Sequence, residues 1–217
     1  MPFSRADAEM EMRFSRQRVL AFTLIELLVV IVIVAVLMGL AFPIFQGVQN
    51  QAKKTQAKND LTQIVTAVNA FYTEYGKYPV TGAADVWVGA GGSTTNEGLF
   101  AVLRGQNATL NARQIVFIQP PDVKDKTSPR SGIAIEDATV NGVSVKAGEL
   151  VDPWGTPYAI EIDADYTNQI EANPYSSGAG TSPLRSGVIA WSRGKDQKGG
   201  TGSKTSTDSN DDVISWQ

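Results

Sequence analysis

Residues 21–30 read Ala21-Phe22-Thr23-Leu24-Ile25-Glu26-Leu27-Leu28-Val29-Val30, and they open a run that continues without a charge from Leu27 to Phe45. Of the 24 residues from Phe22 to Phe45, 17 are Phe, Leu, Ile or Val. On a membrane-insertion scale these residues favour the bilayer by about 5–10 kcal/mol, and about 20 apolar residues span a hydrocarbon core as a helix. A helix that is apolar all round has no place in one small soluble domain. The run is therefore expected to cross or anchor in a membrane. Glu26 interrupts it near the start. An ionisable group inside a membrane helix is costly and marks a functional candidate; a glutamate at the interface that reaches to water is the alternative. Glu26 lies four residues after Phe22, one turn along the same helical face. If the chain were cut before Phe22, the new α-amino group would be a positive charge suited to pair with this carboxylate, its own or a neighbour's.

The flanks orient the segment. Residues 1–21 carry Arg5, Arg13, Arg16 and Arg18 against Asp7, Glu9 and Glu11. The charges nearest the apolar run are arginines, so the positive-inside rule keeps the N-terminus cytoplasmic and sends the C-terminal part across. A secretory signal peptide has an apolar region of about 7–15 residues and a small-x-small cleavage site. Here the run is longer and ends in Phe42-Pro43-Ile44-Phe45.

Beyond Gln46 the helix is expected to continue in amphipathic form to Tyr75. Leu61, Ile64, Val65, Val68, Phe71, Tyr72 and Tyr75 recur at steps of 3 and 4, with Lys53, Lys54, Lys58, Asp60 and Glu74 elsewhere. Pro43 lacks an N–H and should kink the first half, and Gly76 with Tyr78-Pro79 ends the helix. Residues 80–96 are glycine-rich and read as a loop. A short second helix is expected over Glu97–Arg104. Strands are expected at Ile115–Gln119, Gly132–Glu136, Val143–Lys146, Tyr158–Asp163 and Val188–Ser192, with Asn141-Gly142 as a hairpin turn. The fold class is α+β: one long N-terminal helix packed against a small antiparallel sheet. The expected segments are 1–21, 22–45, 46–79 and 80–217.

Composition removes whole classes of function. The chain has 217 residues, 42% of them hydrophobic, a net charge of −3, and neither cysteine nor histidine. That length fits one domain with an appendage. An acidic chain is ill suited to gripping nucleic acid, which wants a basic surface. Without Cys there is no disulfide framework or thiolate chemistry; without His the usual general base and the Ser-His-Asp triad are gone. No catalytic residue is expected. A membrane-anchored enzyme or binding module would need carboxylate chemistry, for which Asp163 and Asp165 are the nearest pair.

The Ala21–Val30 stretch behind its Arg-rich leader resembles the class III signal of type IV pilin-like proteins. The resemblance implies cleavage between Ala21 and Phe22 by a prepilin peptidase, N-methylation of Phe22, and use of Glu26 to dock subunits into a helical filament. Ala21 stands where that family overwhelmingly has Gly. Asp152-Pro153-Trp154-Gly155-Thr156-Pro157-Tyr158 is similar to an element of the major pseudopilin of type II secretion systems. Physically it is a rigid corner in which Trp154 can plug the core, and a structural role for Asp152 is favoured over a catalytic one. The ending, Ser192-Arg193-Gly194-Lys195-Asp196 and then Asp211-Asp212-Val213-Ile214-Ser215-Trp216, resembles the calcium-binding tail of the same family. Adjacent Asp211 and Asp212 repel unless a cation joins them, and hard oxygen ligands suit Ca²⁺. The resemblance implies Asp196, Asp211 and Asp212 as carboxylate ligands, the Arg193 carbonyl as a backbone ligand, and Trp216 as a latch. Gln197 replaces the Gly of that pattern.

The expected function is that of a structural pseudopilin subunit, assembled into a periplasmic pseudopilus that drives type II secretion. Its expected partners are copies of itself, minor pseudopilins, an inner-membrane assembly platform and the prepilin peptidase. Before assembly it is expected in the bacterial inner membrane with its C-terminal domain periplasmic. A surface pilus subunit is the alternative; such proteins commonly carry a C-terminal disulfide, which this chain cannot form.

Overall fold

The computed structural model describes residues 22–200 and 202–217, apart from the side chains of residues 40–45. It divides into two compact units, Met1–Phe45 and Gln46–Gln217. Helix α1 (Leu24–Tyr75) starts in the first and supplies the N-terminal stem of the second.

In the first unit the side chains from Phe22 to Met38 stand open: Leu24 is 82% exposed and Met38 69%. Among the described residues no helix is long and apolar enough to cross a membrane; the described apolar stretch of α1 stops at Gly39. The backbone of α1 is helical through Pro43. The kink expected there is not established, because it falls on residues 40–45. The leader and Ala21 also lie outside the described residues.

In the second unit α1 has no Gly or Pro from Val48 to Tyr75, and its threonines turn their hydroxyls back onto the helix, as Thr62 does to the Lys58 carbonyl at 2.9 Å. Ala57, Leu61, Ile64, Val68 and Phe71 recur at steps of 3 and 4 and are fully buried. Each large member contributes about 1.5–3 kcal/mol by leaving water. Tyr72, expected on this stripe, lies outside it at 38% exposure and stacks on Tyr78 with ring centroids 4.6 Å apart. Gly76, at φ 64°, ends the helix by donating its N–H to the Tyr72 carbonyl at 2.8 Å.

After α1 come β1 (Val86–Val88), α2 (Glu97–Leu103), β2 (Gly132–Ile133), β3 (Ala138–Val140), β4 (Val143–Val145), β5 (Leu150–Val151), β6 (Ala159–Ile162), β7 (Tyr175–Ser177), β8 (Val188–Ser192), β9 (Gly202–Ser203) and β10 (Val213–Ile214). The main sheet has the order β1-β6-β8-β10 and is antiparallel throughout. Strand alternation gives it two apolar faces. Val88, Ile160, Ile162, Val188 and Ala190 pack on the stripe of α1 and on α2. Ala159, Ile189 and Trp191 point the other way, into a second cluster with Ile170, Tyr175, Ala179 and Ile214. The helix-on-sheet α+β arrangement agrees with expectation. The covering layer on the outer face was not anticipated.

Three short pairings complete the unit: β2 with β5, β3 with β4, and β7 with β9, the last parallel. The β3–β4 hairpin turns at Asn141 (φ 50°) and Gly142 (φ 83°), the two positive φ values that a type I′ turn requires. One expected strand is absent. Residues 115–119 form no strand because the buried Asn111 side chain takes up both backbone groups of Ile115, accepting its N–H at 3.0 Å and donating to its carbonyl at 2.7 Å. Phe117 and Ile118 then donate to the Leu103 carbonyl at the end of α2 rather than to a ladder, and Pro120-Pro121 follow. The strand expected over Gly132–Glu136 is only β2, and α2 ends one residue before Arg104.

Candidate functional site

Two regions hold the candidate residues, the start of α1 and the C-terminal tail. At the helix start Thr23 precedes the first helical residue. Its N–H donates to Glu26 Oε2 at 2.9 Å, its hydroxyl donates to the same oxygen at 2.6 Å, and the Glu26 N–H donates back to Thr23 Oγ1 at 3.3 Å. This is a capping box, in which the first turn's free donors are satisfied reciprocally. Its Thr-x-x-Glu signature is present in the sequence at Thr23–Glu26 and was passed over there in favour of charge pairing. Glu26 thus has a local task independent of any neighbour. Phe22 is 74% exposed beside it, and Ala21 is not described.

Around this turn the apolar side chains from Leu24 to Met38 are exposed on every face of the helix, at 44% or more for each large one. Isolated soluble proteins do not leave so long an apolar surface open; it marks a membrane or protein interaction site.

The tail is fixed to the second unit by several independent bonds. Ser215 donates its N–H to the Ala190 carbonyl at 2.9 Å, and its hydroxyl accepts the Ala190 N–H at 2.9 Å. Trp216 lies against Tyr175 and Trp191 and donates Nε1–H to the Ala179 carbonyl at 2.7 Å. Lys58 of α1 donates to the Ile214 carbonyl at 2.7 Å and to Gln217.

The residues expected to hold calcium share this region without forming one ligand set. Asp211 Oδ2 accepts the N–H groups of Lys195 at 2.6 Å and Asp196 at 3.2 Å. Asp212, 6% exposed, accepts the Tyr175 hydroxyl at 2.7 Å and the Gly200 N–H at 2.9 Å through Oδ2. Burial pushes the Asp212 carboxyl up to about 6, against the pull of those hydrogen bonds. The Oδ1 atoms of both aspartates are buried without a partner. Asp196 instead accepts the Lys198 N–H at 2.8 Å. Among the described residues, the three carboxylates whose oxygens all lie within 4.8 Å of one another are Asp85, Asp163 and Asp165, not Asp196, Asp211 and Asp212. Arg193, expected to ligate by its carbonyl, opens the turn and has its side-chain Nε buried and unpartnered.

Gln197 shows how the tail tolerates a residue in a glycine position. It sits at φ 61°, in the left-handed region. Its side chain donates to the Trp154 carbonyl at 2.9 Å and accepts from Asn141 at 3.0 Å, tying the tail to the Asp152 corner and the β3–β4 hairpin. At that corner Asp152 is fully buried and Oδ1 accepts the N–H groups of Trp154, Gly155 and Thr156 at 2.8–2.9 Å. Trp154 is 5% exposed, and its indole N–H is buried without a partner. The Asp152 carboxylate thus closes the turn on its own backbone.

Known proteins carry the same N-terminal pattern. Residues 16–42 match the family model described as the prokaryotic N-terminal methylation motif. Over 69 residues the chain is 39% identical to the "Type IV major pilin protein PilA" of Myxococcus xanthus (strain DK1622), covering 31% of this chain and 31% of that relative. No solved structure matches the chain. Over residues 16–42 the chain is therefore similar to proteins that carry this methylation motif.

Proposed function

We propose that this chain, pilin-like in its N-terminal segment, is a structural filament subunit, specifically a pseudopilin that assembles into a periplasmic pseudopilus driving type II protein secretion. The observation that carries the reading is the apolar surface exposed all round α1 from Leu24 to Met38, directly after the methylation motif. Before assembly the inner membrane would cover this surface, with the N-terminus cytoplasmic. After cleavage between Ala21 and Phe22 and methylation of Phe22, neighbouring copies would cover it. Glu26 would then neutralise the terminal ammonium of a neighbour. The prepilin peptidase, an inner-membrane platform and minor pseudopilins are the partners this cycle needs.

Deletion of the gene and electron microscopy of the envelope test the proposal together. The expected result is loss of secretion with short filaments confined to the periplasm of the complemented strain. Long surface fibres containing this chain would instead support the second reading, a surface pilus subunit. The Myxococcus relative, described as a major pilin, is the observation that favours it.

The tail is proposed to take calcium through Asp211 and Asp212, with Asp196 and the Arg193 carbonyl nearby. Its support is the pair of buried carboxylate oxygens that lack a partner and the match of hard oxygen ligands to Ca²⁺. Calcium supplies positive charge that relieves the repulsion between adjacent carboxylates. In the full chain in detergent, an Asp211→Ala, Asp212→Ala double substitution should remove one equivalent of bound calcium measured by calorimetry. At a hundredfold excess over Kd, a site present only in the folded state stabilises by about 2.7 kcal/mol, so the wild type should gain more melting temperature from calcium than the double variant. Equal gains would exclude the clamp.

A further inference from the structure

The outer face of the main sheet carries a second group of acids, far from the tail in sequence. The last paired residues of β1 and β6 are Val86 and Ile162, and the next positions along the ladder are Asp85 and Asp163. On its other side β6 stays paired one step beyond β8's register, since the Asp163 N–H donates to the Gly187 carbonyl at 3.0 Å. Asp165 follows, and one oxygen from each of Asp85, Asp163 and Asp165 lies within 4.8 Å of the others. Asp163 is 1% exposed, and its two oxygens accept the N–H groups of Thr167 at 3.0 Å and Asn168 at 2.7 Å, which fixes the carboxylate.

A further buried acid sits next to the cluster on this face of the sheet. Glu161, two residues before Asp163, lies on the same side of the strand and opposite Trp87. It is only 7% exposed, and its Oε2 is buried without a hydrogen-bond partner. Asp85 presents a second such atom: Oδ2 accepts the Glu171 N–H at 2.8 Å, while Oδ1 is buried and unpartnered. None of the ion pairs among the described residues involves these acids. A buried carboxylate without a partner is costly, and clustered like charges add to that cost.

We infer that Asp85, Asp163 and Asp165, backed by Glu161, form a second divalent-cation site that takes calcium. The donor set is oxygen only, which suits a hard cation. Calcium also accepts variable coordination number and geometry, whereas magnesium demands a near-ideal octahedron. A bound ion would fasten the edge strand β1 to the end of β6 and to the segment from Asp163 to Glu171. The site does not depend on the filament reading, and it is separate from the tail.

The test is calcium titration of the full chain in detergent, by calorimetry and by melting, for the wild type, Asp85→Asn, Glu161→Gln and Asp211→Asn. The expected Kd is on the order of 10⁻⁴ to 10⁻³ M, the range of extracellular calcium modules. Asp85→Asn and Glu161→Gln should each weaken one class of site by roughly 10–100-fold, while Asp211→Asn leaves that class intact. In the absence of calcium both cluster variants should melt no lower than the wild type, because each removes a like charge. If Asp85→Asn does not fold, Glu161→Gln carries the comparison alone. Calcium isotherms and melting shifts in the cluster variants equal to those of the wild type overturn the assignment, as does a wild-type chain that binds no calcium outside the tail.

Discussion

Glu26→Val and Glu26→Gln are both expected to fail to form filaments, although each should still be inserted and processed. The two substitutions separate the two tasks of this carboxylate. Valine removes the capping box with Thr23 and the charge together. Glutamine can occupy the same position of a capping box and removes only the charge. Loss of a helix cap costs about 0.5–2 kcal/mol, which a helix of 52 residues can absorb. In the proposed filament, loss of the charge would leave a neighbour's terminal ammonium unpaired in an apolar interface. Removing one partner of a buried ion pair costs about 3–5 kcal/mol, so each subunit contact should weaken by roughly 10²–10⁴-fold. Sedimentation or microscopy of filaments from envelope preparations reads the effect directly. Normal filaments from Glu26→Gln would reduce Glu26 to a helix cap.

The largest effect on folding is expected at Asp152. Besides the three backbone N–H groups on Oδ1, its Oδ2 accepts the Ser192 hydroxyl at 2.5 Å, and Ser192 in turn accepts the Gly194 N–H at 3.1 Å. The carboxylate therefore joins the Pro153–Thr156 turn to the end of β8 and the start of the tail. Asp152→Ala leaves these donors without an acceptor in a site closed to water. At about 1–3 kcal/mol for each buried group left unsatisfied, the total should be about 3–6 kcal/mol, a large part of a domain's usual 5–15 kcal/mol. Asp152→Asn keeps an acceptor on the turn and should cost far less.

The same residue sets a pH dependence. Burial pushes the Asp152 carboxyl up to about 6, against the pull of Ser192 and the three backbone donors. An acid whose pKa is higher folded than unfolded binds its proton more tightly in the folded state. Its contribution is complete below the unfolded value of about 4 and is lost as the pH rises through 6, by roughly 3 kcal/mol. Chemical unfolding at pH 4 and pH 7 should show wild type losing that much more than Asp152→Asn. Parallel profiles would mean that the carboxylate is ionised in the fold at both values.

The N-terminal part of this account was legible because its signals are local. An uncharged run, an arginine flank and one acid at a fixed distance from Phe22 need no tertiary context. The stripe on α1 was legible for a similar reason: Leu61, Ile64, Val68 and Phe71 repeat at helical spacing. Tyr72 was misplaced because an aromatic at the margin of a stripe can stack on a loop, here Tyr78, as easily as enter the core. The missing strand at 115–119 turned on a single long-range choice. Its β-branched and aromatic residues suit a ladder, yet the Asn111 side chain captured the backbone first. The acid cluster was only half visible. Asp163 and Asp165 stood out as a pair, but Asp85 joins them through strand register across 78 positions of chain, which no spacing rule reveals. In the tail the resemblance implied Asp196, Asp211 and Asp212 together, and in the fold the Asp196 N–H donates to Asp211 while the Asp196 carboxylate accepts the Lys198 N–H.

The central claim is that the chain is cut and modified at the head of α1 so that this apolar helix can enter a filament. Mass spectrometry of the N-terminal peptide of the protein isolated from the cell envelope addresses it most directly. The account predicts a mature terminus at Phe22 carrying one added methyl group. A mature terminus elsewhere, or the intact leader in the assembled protein, would contradict it.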